Sequence, residues 1–270
     1  MDHYWPVSGC CQHEKLMATP ESESFVRTFA RGLKVIEVLG LRPGGLTLAE
    51  VADGVALPRT AVRRFLLTLI DLAFVRTDGK RYWLTPRVLR LGLSYLSTLP
   101  YWRDAQPALE ELCARVQQSC ALSVLDGEEL VYVQRQHAKR ILPMSPTVGS
   151  RLPAHAVSMG RVLLAGLTDE ELEQYLESAE LVALTPATLT DRDQMHKAIL
   201  AIRQRGWAWV DGELDESICG LAVPVRDRAG ATIAALNVSL PSGEFTQERA
   251  VERFLGELRV AASRLRASDR

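Results

Sequence analysis

The chain has 270 residues, 47% of them hydrophobic, so it can bury a substantial core and is expected to form two domains. Its net charge of −1 hides an uneven distribution. Residues 25–87 hold eleven basic and five acidic side chains, whereas residues 88–270 hold twenty and twenty-four. A basic segment on a mildly acidic body is typical of a nucleic-acid-binding module joined to a domain with another task. Chance clustering of solvated arginines is the alternative that charge alone leaves open.

Cysteine usage and hydropathy argue against several other classes of protein. The five cysteines are an odd number without C-x-x-C spacing, so neither a disulfide framework nor a zinc site is expected, and a cytoplasmic location fits. Residues 1–24 lack the basic and apolar regions of a signal peptide and are expected to form a disordered tail. No run approaches eighteen apolar residues, which predicts no membrane span.

Three helices are predicted in the basic segment. Apolar residues recur with a helical period in "FVRTFARGLKVIEVLGL", at Phe29, Leu33, Ile36 and then Leu39 or Gly40. A second helix begins at "TLAEVADGV", because Thr47 and Glu50 have the spacing of a capping box. Pro58 is expected in the first turn of a third helix, "LPRTAVRRFLLTL". Two short helices joined by a tight turn predict a helix-turn-helix over about residues 47–67.

The third helix separates apolar from basic residues. At about 100° per residue, one face carries Val62, Phe65, Leu66 and Leu69. The opposite face carries Arg59, Thr60, Arg63 and Arg64. A solvated helix usually mixes charge signs on its polar face, so a purely positive face favours an anionic partner.

A hairpin is predicted directly after this helix, in "AFVRTDGKRYWLTP". Asp78-Gly79 is the preferred dipeptide of a type I′ turn, and Lys80 and Arg81 lie at its tip. The hairpin is the wing, residues 74–86, of a winged helix-turn-helix domain over residues 25–87.

This domain is expected to bind double-stranded operator DNA. Its recognition helix would place Arg59, Thr60 and Arg63 against base edges in the major groove. Arg64, Lys80 and Arg81 would bind phosphate, which positions the protein without reading sequence. Winged helices also act as protein-interaction modules, and that remains the alternative.

Residues 88–100 predict a linker helix. "PRVLRLGLSYLSTL" repeats apolar residues with a helical period, and Pro100 and Pro107 are expected to break the pattern that follows. Palindromic operators require a dimer, so we expect homodimerisation through this helix. Packing within its own chain is the alternative.

Residues 101–270 predict a mixed α+β domain with an antiparallel sheet. "CALSVLDGEELVYVQRQ" is a hairpin with Asp126-Gly127 in its turn, and "LAVPVRDRAGATIAALNVSL" is another that turns at "DRAG". Helices are predicted between the hairpins in "SMGRVLLAGL", "TDEELEQYL" and "RDQMHKAILAIRQRG". "FTQERAVERFLGELRVAASRLRA" is the closing amphipathic helix.

Several stretches resemble the IclR family of bacterial transcriptional regulators, over essentially residues 25–267. They are "FARGLKVIEVL", "PRTAVRRFLLTL", "FVRTDGKRYWLTP", "GSRLPAHAVSMGRVLLA" and "GWAWVDGELDESICGLAVPVRDRAGATIAALNVS". The sequences of these stretches resemble the branch of the family that regulates protocatechuate and 4-hydroxybenzoate catabolism. The resemblance implies a homodimer or homotetramer with a GAF-like effector domain. The implied effector is a small aromatic or dicarboxylic acid, with protocatechuate, 4-hydroxybenzoate and β-ketoadipate as first candidates.

The resemblance also implies where the effector binds. The implied pocket is lined by Ser158, Met159, Val210, Asp211, Cys219 and Gly220. A physical argument agrees in part, because "PAHAVSMGRVLLA" leads from a loop into a helix whose first N–H groups can bind a carboxylate. His155 and Ser158 are the strongest candidates. The side chains near in sequence that could balance the charge of an acid are Arg135, His137, Arg151, His155 and Arg161.

Neither catalysis nor metal binding is expected. "AVSMG" differs from the G-x-S-x-G motif by one residue, but "RLPAHA" is a poor strand before Ser158, and the only later histidine is His196. Asp211, Glu213 and Asp215 alternate as at the start of an EF-hand loop. However, Glu216 and Ala222 stand at the sixth and twelfth positions, where that loop has Gly and Glu. No cofactor motif appears.

Overall fold

A computed structural model describes residues 25–138 and 146–266. The expected disordered tail, residues 1–24, lies outside the described residues. The chain divides into two compact units with the boundary after Tyr95. That boundary falls inside the predicted linker.

The first unit has the element order of a winged helix-turn-helix. Its helices are α1 (Arg27–Gly40), α2 (Leu48–Gly54) and α3 (Arg59–Asp71). Its strands are β1 (Leu46–Thr47), β2 (Val75–Thr77) and β3 (Arg81–Leu84), which form an antiparallel sheet in the order β1-β3-β2. The predicted capping box at α2 is confirmed: the Thr47 N–H donates to Glu50 Oε2 at 2.8 Å, and the Glu50 N–H donates to Thr47 Oγ1 at 3.3 Å.

Helix α1 turns a different face to the core than its apolar pattern predicts. Val35, Val38 and Leu39 are buried, whereas Phe29 and Leu33 are 69% and 43% exposed. The exposed pair lies roughly 150° around the helix from the centre of the buried stripe. The pattern predicts the helix correctly, but α1 has two apolar stripes and only packing decides which one is covered.

Two local predictions in this unit need correction. Helix α3 begins at Arg59, so Pro58 is the residue before the helix and not its first residue. The wing turn is not type I′, because that turn needs a positive φ at both central residues and only Gly79, at +94°, has one. Thr77 pairs with Tyr82, which leaves a four-residue loop. Asp78 Oδ1 closes this loop by accepting from the N–H groups of Lys80 and Arg81, both at 2.8 Å.

The linker contains a 3-10 turn (Pro86–Val88) and helix α4 (Leu89–Leu96). The prediction that Pro107 breaks the following pattern is wrong, because Pro107 lies inside helix α5 (Trp102–Val116). A proline there removes one backbone donor. Ala105, Leu109 and Leu112, which flank Pro107 along α5, are buried, and their packing stabilises the helix despite the missing hydrogen bond.

The second unit contains a six-stranded antiparallel sheet, which confirms both predicted hairpins. Its strands are β4 (Ser119–Asp126), β5 (Glu129–Gln136), β6 (Arg151–Pro153), β7 (Ala208–Asp211), β8 (Ile218–Arg226) and β9 (Thr232–Pro241). Their order in the sheet is β6-β5-β4-β9-β8-β7. The observed architecture is therefore the expected α+β class.

Helices cover both faces of this sheet. They are α5, α6 (Ser158–Ala165), α7 (Asp169–Ser178), α8 (Arg192–Arg205) and α9 (Gln247–Arg264). Helices α5 and α9 pack on the face that carries Leu221 and Val223, and α6, α7 and α8 pack on the face that carries Ala222. Helix α6 packs closely on its surroundings: a Cβ atom at Gly160 would lie 2.1 Å from the carbonyl oxygen of Ala154. Gly160 is therefore required for this packing.

Within residues 25–138 and 146–266, no helix is long and apolar enough to cross a membrane. The same part of the chain has no group of three or more His, Cys, Asp or Glu side chains that could hold a metal ion. The cysteines it contains, Cys113, Cys120 and Cys219, are free thiols.

Candidate DNA-binding surface and effector pocket

The first half of α3 presents the basic surface that the sequence predicts. Arg59, Thr60, Arg63 and Arg64 are all exposed, whereas Val62, Leu66 and Leu69 on the opposite side are buried. Among the described residues, these three arginines have no carboxylate partner within ion-pair distance. Their charges are therefore available to an anionic ligand such as the DNA backbone.

The two basic residues of the wing have different surroundings. Lys80 is exposed at the loop. Arg81 donates from its guanidinium to the carbonyl oxygen of Gly45 at 2.8 Å and lies 3.7 Å from Glu50 Oε2. Arg81 therefore ties the wing to the start of α2, a role that the sequence did not reveal. Its side chain is still 45% exposed, so part of the guanidinium can reach a phosphate.

A cavity in the second unit lies between the start of α6 and the sheet. Five of the predicted effector residues line it: Ser158, Met159, Val210, Cys219 and Gly220. The remaining wall includes Tyr132, Arg135, Leu152, Glu213, Ile218, Asn237 and Ser239. A Cβ atom at Gly220 would lie 2.9 Å from Ser158 Oγ, so the glycine permits the close approach of strand β8 to the start of α6.

The structure does not bring His155 and Asp211 to this cavity. His155 is buried, and its Nε2 donates to the carbonyl oxygen of Val182 at 3.1 Å. Burial lowers the pKa of His155. Asp211 is exposed and accepts a hydrogen bond from the Ser242 hydroxyl at 2.7 Å. Both side chains hold loops near the cavity and do not line it.

Among the described residues of the cavity wall, Arg135 is the one with a basic side chain. Its Nε is buried and has no hydrogen-bond partner among the described residues, and its guanidinium carbon lies 5.7 Å from the centre of the Tyr132 ring. Burial lowers the pKa of Arg135 and raises the pKa of Tyr132 to about 12. Asn237 Oδ1, on the same wall, is also buried without a partner. Buried polar groups are normally hydrogen-bonded, so both indicate a place for a polar ligand.

Two other arginines that the sequence offered for charge balance are already paired. Arg151 donates to Glu129 at 2.6 Å and to Asp126 at 2.7 Å. Arg161 donates to Glu213 at 2.5 Å, and both side chains are nearly buried. Glu213 also accepts from the N–H of Leu189 at 2.8 Å. The sequence clue to Arg135 was a charge that follows the apolar part of a predicted strand, "LVYVQRQ", but sequence could not separate it from the paired arginines.

The surroundings of Ser158 do not form a hydrolase site. Ser158 is the first residue of α6 and follows a 3-10 turn (Ala154–Ala156) instead of a strand. The nearest histidine in sequence, His155, directs its Nε2 to Val182. A nucleophile elbow needs a strand before its serine and a base within hydrogen-bond distance.

Comparisons with known proteins agree with this architecture. Residues 28–79 match the IclR helix-turn-helix domain, and residues 93–267 match the bacterial transcriptional regulator IclR C-terminal domain. The chain is 39% identical to the Pca regulon regulatory protein of Pseudomonas putida, over 93% of this chain and 86% of the relative. It is 36% identical to the p-hydroxybenzoate hydroxylase transcriptional activator of Acinetobacter baylyi, over 94% and 98%.

A solved structure of an IclR homologue complexed with 4-hydroxybenzoate, from Microbacterium hydrocarbonoxydans, has a similar fold. Its TM-score is 0.78 at 26% identity, over 88% of this chain and 97% of the homologue. These relatives are transcriptional regulators and not enzymes. The matched domains cover most of the chain in the order that the fold shows, and the protein therefore belongs to the IclR family of bacterial transcriptional regulators.

Proposed function

We propose that this protein regulates genes of aromatic-acid catabolism and that an aromatic monocarboxylic acid is its effector. The names of the two regulators and the 4-hydroxybenzoate bound by the solved homologue support this class of ligand. The observation that carries the proposal for this chain is Arg135 in the wall of the cavity, a half-buried cation whose buried Nε has no partner and which pairs with no carboxylate among the described residues.

The charges of the cavity favour one carboxylate over two. The effector carboxylate pairs with Arg135, and the Asn237 side chain and the hydroxyls of Ser158 and Ser239 offer further hydrogen bonds. Glu213 lines the same cavity and is already paired with Arg161, so a second carboxylate on the ligand would meet a negative charge. A hydroxybenzoate is therefore favoured over a dicarboxylate such as β-ketoadipate.

Binding requires side chains of the cavity to move. The cavity measures about 50 Å³, which is less than the ~300–1,000 Å³ of ordinary ligand pockets. Met159 is buried in the wall, in contact with the Ser123 hydroxyl, and methionine side chains rearrange easily. Displacement of Met159 at the start of α6 gives the effector a means of changing the domain. The effector changes DNA affinity only by the difference between its affinities for the two arrangements.

In this proposal the basic surface of the first unit binds the operator. Arg59, Thr60 and Arg63 read base edges, and Arg64, Lys80 and Arg81 bind phosphate. Such a regulator works in the cytoplasm, where bacterial DNA lies.

The protein is proposed to act as a homodimer or tetramer whose subunits pair through α4, where Leu89, Leu91 and Leu93 are all more than half exposed. Leu96 and Leu99 of the predicted seam pack instead against the core of the second unit.

Calorimetric titration of the full chain tests the effector. We expect 4-hydroxybenzoate or protocatechuate to bind more tightly than β-ketoadipate, and we expect Ser158→Trp to abolish binding while leaving operator affinity without ligand unchanged. Tight binding that survives Ser158→Trp would place the ligand outside this cavity. Binding of none of the three acids would refute the aromatic-acid assignment but not DNA binding, which footprinting of the region upstream of the gene measures separately.

A further inference from the structure

Three arginines line a cleft of the second unit that shares no residue with the effector cavity. Arg226 ends β8, Arg259 lies in α9 and Arg266 follows α9. The other residues of the wall are Gly206, Val223, Pro224, Ala262 and Ser263. The cleft measures about 350 Å³, which is within the ~300–1,000 Å³ range of small-molecule sites.

Within residues 25–138 and 146–266, the positive charges of this cleft have no counter-charge of their own. In that part of the chain no Asp or Glu lines the cleft, and none of its three arginines has an ion pair. Other arginines of the second unit do have carboxylate partners, namely Arg115, Arg151, Arg161, Arg203 and Arg264. Asp227, next to Arg226, accepts from the N–H of Ala231 at 2.9 Å. A cleft lined by charges of one sign raises the local concentration of anions.

Backbone carbonyl groups hold the three guanidinium groups in place. Arg226 donates to Gly230 at 2.8 Å, Arg259 to Arg205 at 3.4 Å, and Arg266 to Asp227 at 3.2 Å. A guanidinium has five N–H donors, so each arginine keeps donors for a ligand. Because the side chains are already oriented, binding an anion costs little conformational entropy.

We propose that this cleft is a second ligand site, for a small organic anion that carries at least two negative charges. Guanidinium groups bind both phosphate and carboxylate in bidentate geometry, so phosphate esters and di- or tricarboxylates share the required chemistry. Val223, Pro224 and Ala262 supply an apolar surface for the carbon skeleton. The site lies on the α9 face of the sheet, whereas the effector cavity lies at the start of α6. The protein therefore has separate sites for a monoacid and for a polyanion.

Calorimetric titration of the full chain at constant ionic strength tests the site, with inorganic pyrophosphate and citrate as probes. We expect saturable binding with one site per chain for at least one probe, and the stronger probe distinguishes phosphate from carboxylate chemistry. Arg226→Gln and Arg259→Gln should each weaken binding about tenfold or more, because each removes charge-assisted hydrogen bonds. Arg249→Gln is the matched control, since Arg249 is an exposed arginine of α9 outside the cleft.

Thermal unfolding gives a second measurement that does not depend on the heat of binding. The probe should raise the Tm of the parent protein and of Arg249→Gln. In Arg226→Gln, the rise in Tm with the probe should be smaller than in the parent. Binding no tighter than that of chloride would overturn the proposal. Equal weakening by Arg249→Gln, or none by the two cleft variants, would overturn it as well.

Discussion

Replacing Arg135 by Met should make the protein more stable and less able to bind its effector. The buried Nε of Arg135 lacks a partner, and an unsatisfied buried donor costs ~1–3 kcal/mol. Methionine has a similar length and no polar hydrogen, so we expect the free energy of unfolding to rise by about 1–2 kcal/mol. The charge-assisted bond to the effector carboxylate is worth ~1.5–3 kcal/mol, so 4-hydroxybenzoate should bind roughly 10- to 150-fold more weakly.

Arg151→Met is the matched control for this prediction. Arg151 is also a partly buried arginine near the same hairpin, but it is paired with Glu129 and Asp126. Its replacement should lower the free energy of unfolding by up to about 1 kcal/mol, because these ion pairs are partly exposed, and should leave effector affinity unchanged. Urea denaturation followed by tryptophan fluorescence gives the stabilities, and calorimetry gives the affinities. The reasoning fails if both variants lose stability equally, or if Arg135→Met binds 4-hydroxybenzoate as tightly as the parent.

Three further predictions concern other parts of the chain. Arg63→Ala should lower operator affinity by ~1–3 kcal/mol and relax base preference. Lys80→Ala should weaken binding to all DNA sequences alike and make the salt dependence of binding shallower. Identical binding profiles for the two variants would contradict their separate roles. Burial lowers the pKa of His155 in the folded protein, so this histidine binds a proton more readily in the unfolded chain. The stability that His155 contributes should therefore be present above about pH 6.5, the pKa of a free histidine, and should be lost as the pH falls through the lower pKa of the folded state. His155→Gln should flatten that part of a urea-midpoint profile, and an unchanged profile would rule out this histidine as its source. The double variant Leu89→Asp, Leu93→Asp should have a smaller mass in sedimentation, because it would bury charge between the subunits. Its effector affinity should not change, since both side chains are exposed in the single chain. An unchanged mass would mean that the subunits do not pair through α4.

The sequence by itself determined the features that depend on neighbouring residues. The capping box at Thr47, both hairpins of the effector domain and the basic face of α3 all follow from spacing within a few residues. Each depends on local hydrogen bonding or on the helical period, so one sequence is enough to predict it. The family resemblance, not spacing, led to Ser158, Met159, Val210, Cys219 and Gly220, which line the cavity.

Only the tertiary structure decided how charges pair and which faces are covered. Arg135, Arg151 and Arg161 are alike in sequence, but Arg161 meets Glu213, which is 52 residues away, while Arg135 meets no carboxylate among the described residues. The same holds for His155, whose ring meets Val182, and for Leu96, which packs on the core of the second unit. Such partners are distant along the chain, and the sheet order β6-β5-β4-β9-β8-β7 brings distant segments together. The local sequence pattern carries no information about these distances. Only the folded chain therefore shows that Arg135 is the unpaired arginine of the cavity and which apolar stripe of α1 is buried.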